Sequence, residues 1–211
     1  MNNFNIKLTL YLTTSKKLLI SCRTNYFDPL VDLNFARIRY RNGRNVIVIP
    51  ASTLKGILRT SLIRISQLLG YGVKPSIYPS KLTGSEDIVC KLFGRPHAPP
   101  SKLFVKTAEL DANPSILTHV SIDDKTRCSK EHALYTAEYL PINYTFKMKV
   151  EGKDLNYEEA EALFAALANL NFERVGKAGL IQVKIGKDES VIPEELQKNE
   201  VISEILGVLG Y

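Results

Sequence analysis

The sequence contains no tryptophan, only three cysteines and three histidines among its 211 residues, and just two acids in its first 70 positions. Cys22, Cys90 and Cys128 stand far apart with no CxxC or Cys/His spacing. They give no sign of a disulfide framework or a structural zinc centre and read as separate thiols of a reducing compartment. His97, His119 and His132 also lack metal-ligand spacing, so no intrinsic metal site is expected. No run of about 18 apolar residues occurs, and residues 1–7 alternate polar with apolar instead of presenting a charged end before an apolar block. The expectation is a soluble, cytoplasmic protein. Hydrophobic residues make up 45% and charged residues 24%, a globular balance that argues against disorder and suits a single domain with insertions.

What the sequence does have is basic charge in one half. Residues 1–70 carry 11 Lys/Arg against 2 Asp/Glu, a balance of +9; residues 71–211 carry 17 against 20, a balance of −3, and together they give the formal +6. A basic half facing a polyanion is the natural inference, because phosphate contacts supply most sequence-independent affinity for nucleic acid. A membrane-surface face competes with it but would want an amphipathic helix with aromatic anchors, and tryptophan is absent.

Phe4 to Leu12 alternates at period two and predicts a first strand. Residues 18–22 predict a short extended piece, and Asp28-Pro29 a loop. Ala36 to Arg41 and Val46 to Ile49, joined across Asn42-Gly43, predict a hairpin. Pro50 ends that strand. Ser52 is the expected N-cap of a helix carrying Leu54, Ile57, Leu58, Leu62, Ile65, Leu68 and Leu69, stopped at Gly70 and Gly72. Residues 71–102 hold five of the ten prolines and read as an irregular insertion with a short helix near 87–92. Leu103 to Leu110 predicts a strand, residues 111–140 an excursion from the core, and Ile142 to Val150 another strand. Asn156 with Glu159 forms a capping-box signature before a helix carrying Leu163, Phe164, Leu167 and Leu170. A strand over 180–185 and a short helix within 194–209 complete the chain. That order fits a split βαβ, ferredoxin-like α+β antiparallel sheet with two core helices and insertions.

Three constellations suit phosphate. The strand-to-helix junction at 49–59 offers free amides, the positive end of a helix dipole, the hydroxyls of Ser52 and Thr53, and Lys55 and Arg59 four residues apart on one face. A capped helix with a solvated basic side explains the same residues. Arg37, Arg39 and Arg41 alternate on one strand, where three guanidiniums repel one another unless an anion lies across them; charge protecting an edge strand is the other reading. Arg174, Gly176, Lys177 and Gly179 form a basic loop in which glycines admit close backbone approach, though a helix C-cap and turn would use them too.

Catalytic signals are sparser. Asp28 and Asp32, alone in the basic half, are candidates for holding a metal-bound water or acting as a general base beside an RNA 2′-hydroxyl, or for capping a turn. Asp123-Asp124 reads as a solvated loop.

Four of these segments, in order, resemble the RAMP (repeat-associated mysterious protein) superfamily, specifically the backbone subunits of type III CRISPR effector complexes. Residues 49–59, Ile-Pro-Ala-Ser-Thr-Leu-Lys-Gly-Ile-Leu-Arg, are similar to its IPGSSLKGxLR segment, with Ala51 where glycine is usual. Leu92-Phe93-Gly94 resembles its LFG element. Residues 122–126 with 133–141 resemble its IDRKT and LYT-x-E-x-LP stretch, and residues 176–179 a reduced glycine-rich loop. The resemblance implies a modified RNA-recognition-motif-like core, in a subunit packed beside sister RAMP subunits and a large CRISPR subunit along a CRISPR RNA. Ser52, Lys55 and Arg59 would hold guide phosphates, supported by the loop at 176–179. Residues around 113–140, including Lys125 and Arg127, would form a β-hairpin thumb across the duplex of guide and complementary target RNA. It also implies an aspartate in the loop before the 49–59 segment that cleaves target RNA with a divalent metal; Asp32 and Asp28 are the residues nearest that place. No tightly bound cofactor is expected, with Mg2+ or Mn2+ needed only if the chain cleaves RNA.

Overall fold

The computed structural model describes residues 3–21, 30–73, 87–95, 97, 100–177 and 179–211, without the side chain of His132. Asp28, Cys22, Ala178 and most of the proline-rich stretch after residue 73 lie outside the described residues.

In chain order the strands are β1 (Phe4–Thr14), β2 (Ala36–Arg39), β3 (Asn45–Ile49), β4 (Leu103–Val105), β5 (Ala108–Leu110), β6 (Ser115–Ile122), β7 (Ser129–Tyr139), β8 (Thr145–Leu155), β9 (Arg174–Val175) and β10 (Gly179–Ile185). The helices are α1 (Ala51–Ser66), α2 (Ile88–Phe93), α3 (Tyr157–Asn169), α4 (Glu194–Gln197) and α5 (Glu200–Val208). The main sheet runs β4-β8-β1-β10-β9, every pairing antiparallel. Its first four strands, taken with α1 and α3, have the order of a split βαβ, ferredoxin-like fold, as the sequence predicts. Period-two alternation puts Phe4, Ile6, Leu8, Leu10 and Leu12 of β1 into one core with Leu54, Leu58 and Leu62 of α1 and Leu163, Phe164 and Leu167 of α3. Ser61 donates to the Ala166 carbonyl at 2.8 Å and accepts from Asn169 at 3.0 Å, fixing α1 against α3.

Two strands depart from the expected spans. Leu103 to Leu110 is two strands: β4 pairs with β8 in the main sheet, whereas β5 pairs with β3 in a separate β2-β3-β5 sheet. Exposed Lys106 and Thr107 carry the chain from one sheet to the other. β8 begins at Thr145, not Ile142, and runs beyond Val150 to Leu155; its pairing with β1 shifts register between Phe4 and Ile6 in that added stretch, and such a bulge interrupts the alternation that a sequence reading follows. The C-terminal helix is also two, since Asn199 accepts the Ile202 amide at 3.1 Å and starts α5 afresh.

β6 and β7 form a two-stranded hairpin outside both sheets, where the resemblance puts the thumb. At its tip the Asp123 carboxylate accepts the Lys125 and Thr126 amides at 2.8 and 3.1 Å. At its root, Leu33 and Glu138 exchange backbone hydrogen bonds with the opposite strand: the Leu33 amide donates to Thr136 at 3.0 Å and the Glu138 amide to Leu33 at 2.9 Å.

Candidate nucleic-acid interface

α1 begins two residues earlier than expected and ends at Ser66, before Leu68 and Leu69. Pro50 is the N-cap and gives no side-chain cap, so Ser52 sits inside the first turn with its hydroxyl exposed. The Thr53 and Leu54 amides fold back on the Pro50 carbonyl at 3.0 and 3.1 Å, and the Ala51 amide donates to the Thr107 hydroxyl at 3.3 Å. Among the described residues the Ser52 amide alone of these four is left for an anion. The helix start is thus a weaker phosphate cradle than the sequence suggests, and the side chains carry the burden.

Lys55 is half-buried and donates to Ser101 Oγ at 2.6 Å. Ser101 is itself held by the Leu92 and Leu103 carbonyls at 2.9 Å, so the stretch after the LFG element positions the lysine. No described carboxylate pairs with Lys55, and burial, reinforced by the charge of Arg59, pushes its pKa below the usual lysine value. A cation desolvated beside a second cation gains from an incoming anion. Arg59 lies one turn along and makes no ion pair among the described residues.

The three alternating arginines are not a row. Arg37 forms an ion pair with Glu138 on β7, and the two side chains are only 15% and 4% exposed. Glu138 also accepts the Phe35 amide at 2.9 Å. Arg39 ends β2 exposed, and Arg41 lies in the turn closed by Gly43, where strand alternation no longer applies. Sequence periodicity cannot reveal a carboxylate 101 residues away.

The basic loop divides similarly. Gly176 has φ +60°, and a Cβ there would meet the Leu19 carbonyl at 2.3 Å; at Gly179 one would meet Leu18 Cδ1 at 2.4 Å. The chain's own packing requires both glycines. Lys177 reaches the thumb, donating to the Tyr135 hydroxyl at 2.8 Å, and Tyr135 stacks on His119 with centroids 5.1 Å apart. Arg174 is exposed and makes no ion pair among the described residues. Lys125 and Arg127 are exposed at the thumb tip, far along the hairpin from its root.

Asp32 is engaged at that root. Its Oδ2 accepts the Thr136 amide at 2.7 Å and the Thr136 hydroxyl at 3.1 Å, which hold its carboxyl below the usual range. No group of three His, Cys, Asp or Glu suited to a metal exists among the described residues. Asp32, already bound by two thumb donors and with no such group of ligands around it among the described residues, does not by itself fit a built divalent-metal site.

Sequence reasoning passed over a groove of about 360 Å³ between α1 and residues 173–176. Thr53, Gly56, Ile57 and Thr60 form its helical wall, and Arg64 closes one end by pairing with Glu173 at 3.0 Å. The available signal was Gly56, a glycine inside a helix.

This architecture defines an α+β protein of the ferredoxin-like class with a basic helix face and a protruding hairpin. The chain belongs to the RAMP superfamily, whose family model matches residues 32–180, or 149 of 211 residues. RAMP proteins bind RNA and work in CRISPR complexes with other Cas subunits. No curated protein matches the chain. No helix among the described residues is long and apolar enough to cross a membrane.

Proposed function

We propose that this chain is a CRISPR RNA-binding backbone subunit of a type III CRISPR antiviral ribonucleoprotein that targets foreign RNA. The observation that carries this reading is Lys55, a half-buried cation held by a neutral serine, next to Arg59 and without a carboxylate partner among the described residues. The guide's phosphates supply the missing charge. Arg39, Arg41 and Arg174 extend the basic path as exposed cations, and the thumb crosses the duplex formed with target RNA. Sister RAMP subunits and a large CRISPR subunit complete the cytoplasmic complex. Recognition is of backbone, so affinity falls steeply with salt and depends little on guide sequence.

The alternative, metal-dependent cleavage of target RNA, has Asp32 as its described carboxylate, and the hold of Thr136 on that group favours the binding role. The test is reconstitution with guide RNA and sister subunits. Lys55→Glu is expected to lose salt-sensitive RNA retention while the protein stays folded; full retention by that variant contradicts the proposal.

A further inference from the structure

A mid-helix glycine costs about 1 kcal/mol relative to alanine, so its presence wants a reason. Gly176 and Gly179 have theirs in backbone and side-chain atoms closer than 3 Å to where a Cβ would sit. Gly56 has none: φ is ordinary, and a Cβ there meets nothing within 4 Å. It is the sixth residue of a 16-residue helix and lines the open groove. Among the described residues the space beside it is empty, and filling it would improve the helix, so the glycine leaves room for a group that is not among them.

The groove describes that group. Its volume, about 360 Å³, lies at the low end of ligand sites, which run from about 300 to 1,000 Å³, and admits one nucleotide but not a duplex. Gly56 and Ile57 give it a flat apolar wall. Thr60 donates its hydroxyl proton to the Gly56 carbonyl at 2.9 Å, leaving oxygen lone pairs to accept. Glu173, only 13% exposed and held by Arg64 at 3.0 Å and by Asn169 at 2.7 Å, lines the groove with Arg64 as a fixed polar pair. Arg174 stands at the groove with no carboxylate partner among the described residues.

From these features we infer that the groove takes the base of one nucleotide of the bound RNA, laid against Gly56 and Ile57, with its phosphate on Arg174. The assignment rests on the RNA-binding reading and adds to it a place for a base, where Lys55 and Arg59 engage phosphates alone.

The test uses the full chain, a labelled oligouridine and the same oligomer made abasic throughout, read by anisotropy. Gly56→Leu fills the groove, and Gly56→Ala is a smaller step in the same direction. The expected result is about tenfold weaker oligouridine binding by Gly56→Leu, with a melting temperature no lower than wild type and an unchanged salt slope. Wild type should bind the abasic oligomer about tenfold more weakly as well, and the two losses should not add, because both empty one site. Undiminished oligouridine binding by Gly56→Leu, or additive losses, overturns the base assignment while leaving the phosphate reading intact. If wild type binds neither oligomer, the RNA reading fails and the assignment goes with it.

Discussion

Arg37 on β2 and Glu138 on β7 are paired at the root of the thumb, both largely out of water, with the Phe35 amide as the carboxylate's second partner. An arginine that the sequence presents as an RNA contact is thereby committed to holding the hairpin on the body. Removing one partner of a buried pair strands the other. Arg37→Ala is expected to cost about 3 kcal/mol of unfolding free energy, against no more than about 0.5 kcal/mol for Arg39→Ala. Urea denaturation of the two variants measures this, and equal costs would mean that the pair does not anchor the thumb.

Lys55 should show the opposite pattern. Its charge is disfavoured by burial and by Arg59, so folding lowers its pKa and the charged form destabilises the fold; that cost vanishes as pH rises and the group deprotonates. Lys55→Met is expected to leave the melting temperature unchanged or raise it while weakening RNA binding about tenfold. A lower melting temperature with intact RNA binding would assign Lys55 to the structure instead.

Asp32 titrates below the ordinary aspartate value of about 3.9, because Thr136 donates to its ionised form. A depressed folded-state pKa contributes stability that is complete above the ordinary value and is lost as pH falls through the lowered one. An NMR titration should place the Asp32 midpoint below that of an unstructured aspartate, and Thr136→Val should move it back toward the ordinary value by removing the hydroxyl contact. A midpoint at or above the ordinary value in wild type contradicts the docking.

Glu159 performs two tasks. It accepts the Asn156 amide at 2.9 Å in a capping box and pairs with Lys102 at 2.6 Å, tying the start of α3 to the chain just before β4. Glu159→Ala is expected to cost about 3 kcal/mol, read by calorimetry, whereas Glu158→Ala one residue earlier should cost less than about 1 kcal/mol.

Much of this was legible in the sequence where one element explains itself. The alternation of Phe4 to Leu12, the Asn42-Gly43 turn, the α1 stripe and the Asn156/Glu159 capping box each encode a local structure through local chemistry, and each is present. Distant partners were not legible: Glu138 takes Arg37, Thr136 takes Asp32 and Tyr135 takes Lys177, all across about 40 to 100 positions. All three partners lie on β7, so the thumb neutralises several residues that composition alone assigns to RNA. Lys55 and Arg59 survive as candidates because the fold gives them no carboxylate. The groove at Gly56 escaped because its second wall, residues 173–176, is more than 100 positions away.

The most direct measurement is the salt dependence of oligouridine binding by the wild-type chain and by a Lys55→Ala/Arg59→Ala double variant. Single-stranded RNA gives a log–log slope of about −0.7 for each phosphate neutralised. With Lys55, Arg59, Arg39, Arg41 and Arg174 engaged, the wild-type slope should be about −3.5, and the double variant should lose about 1.4 of it. A slope near zero, or the same slope in both proteins, would contradict a guide backbone held on the face of α1.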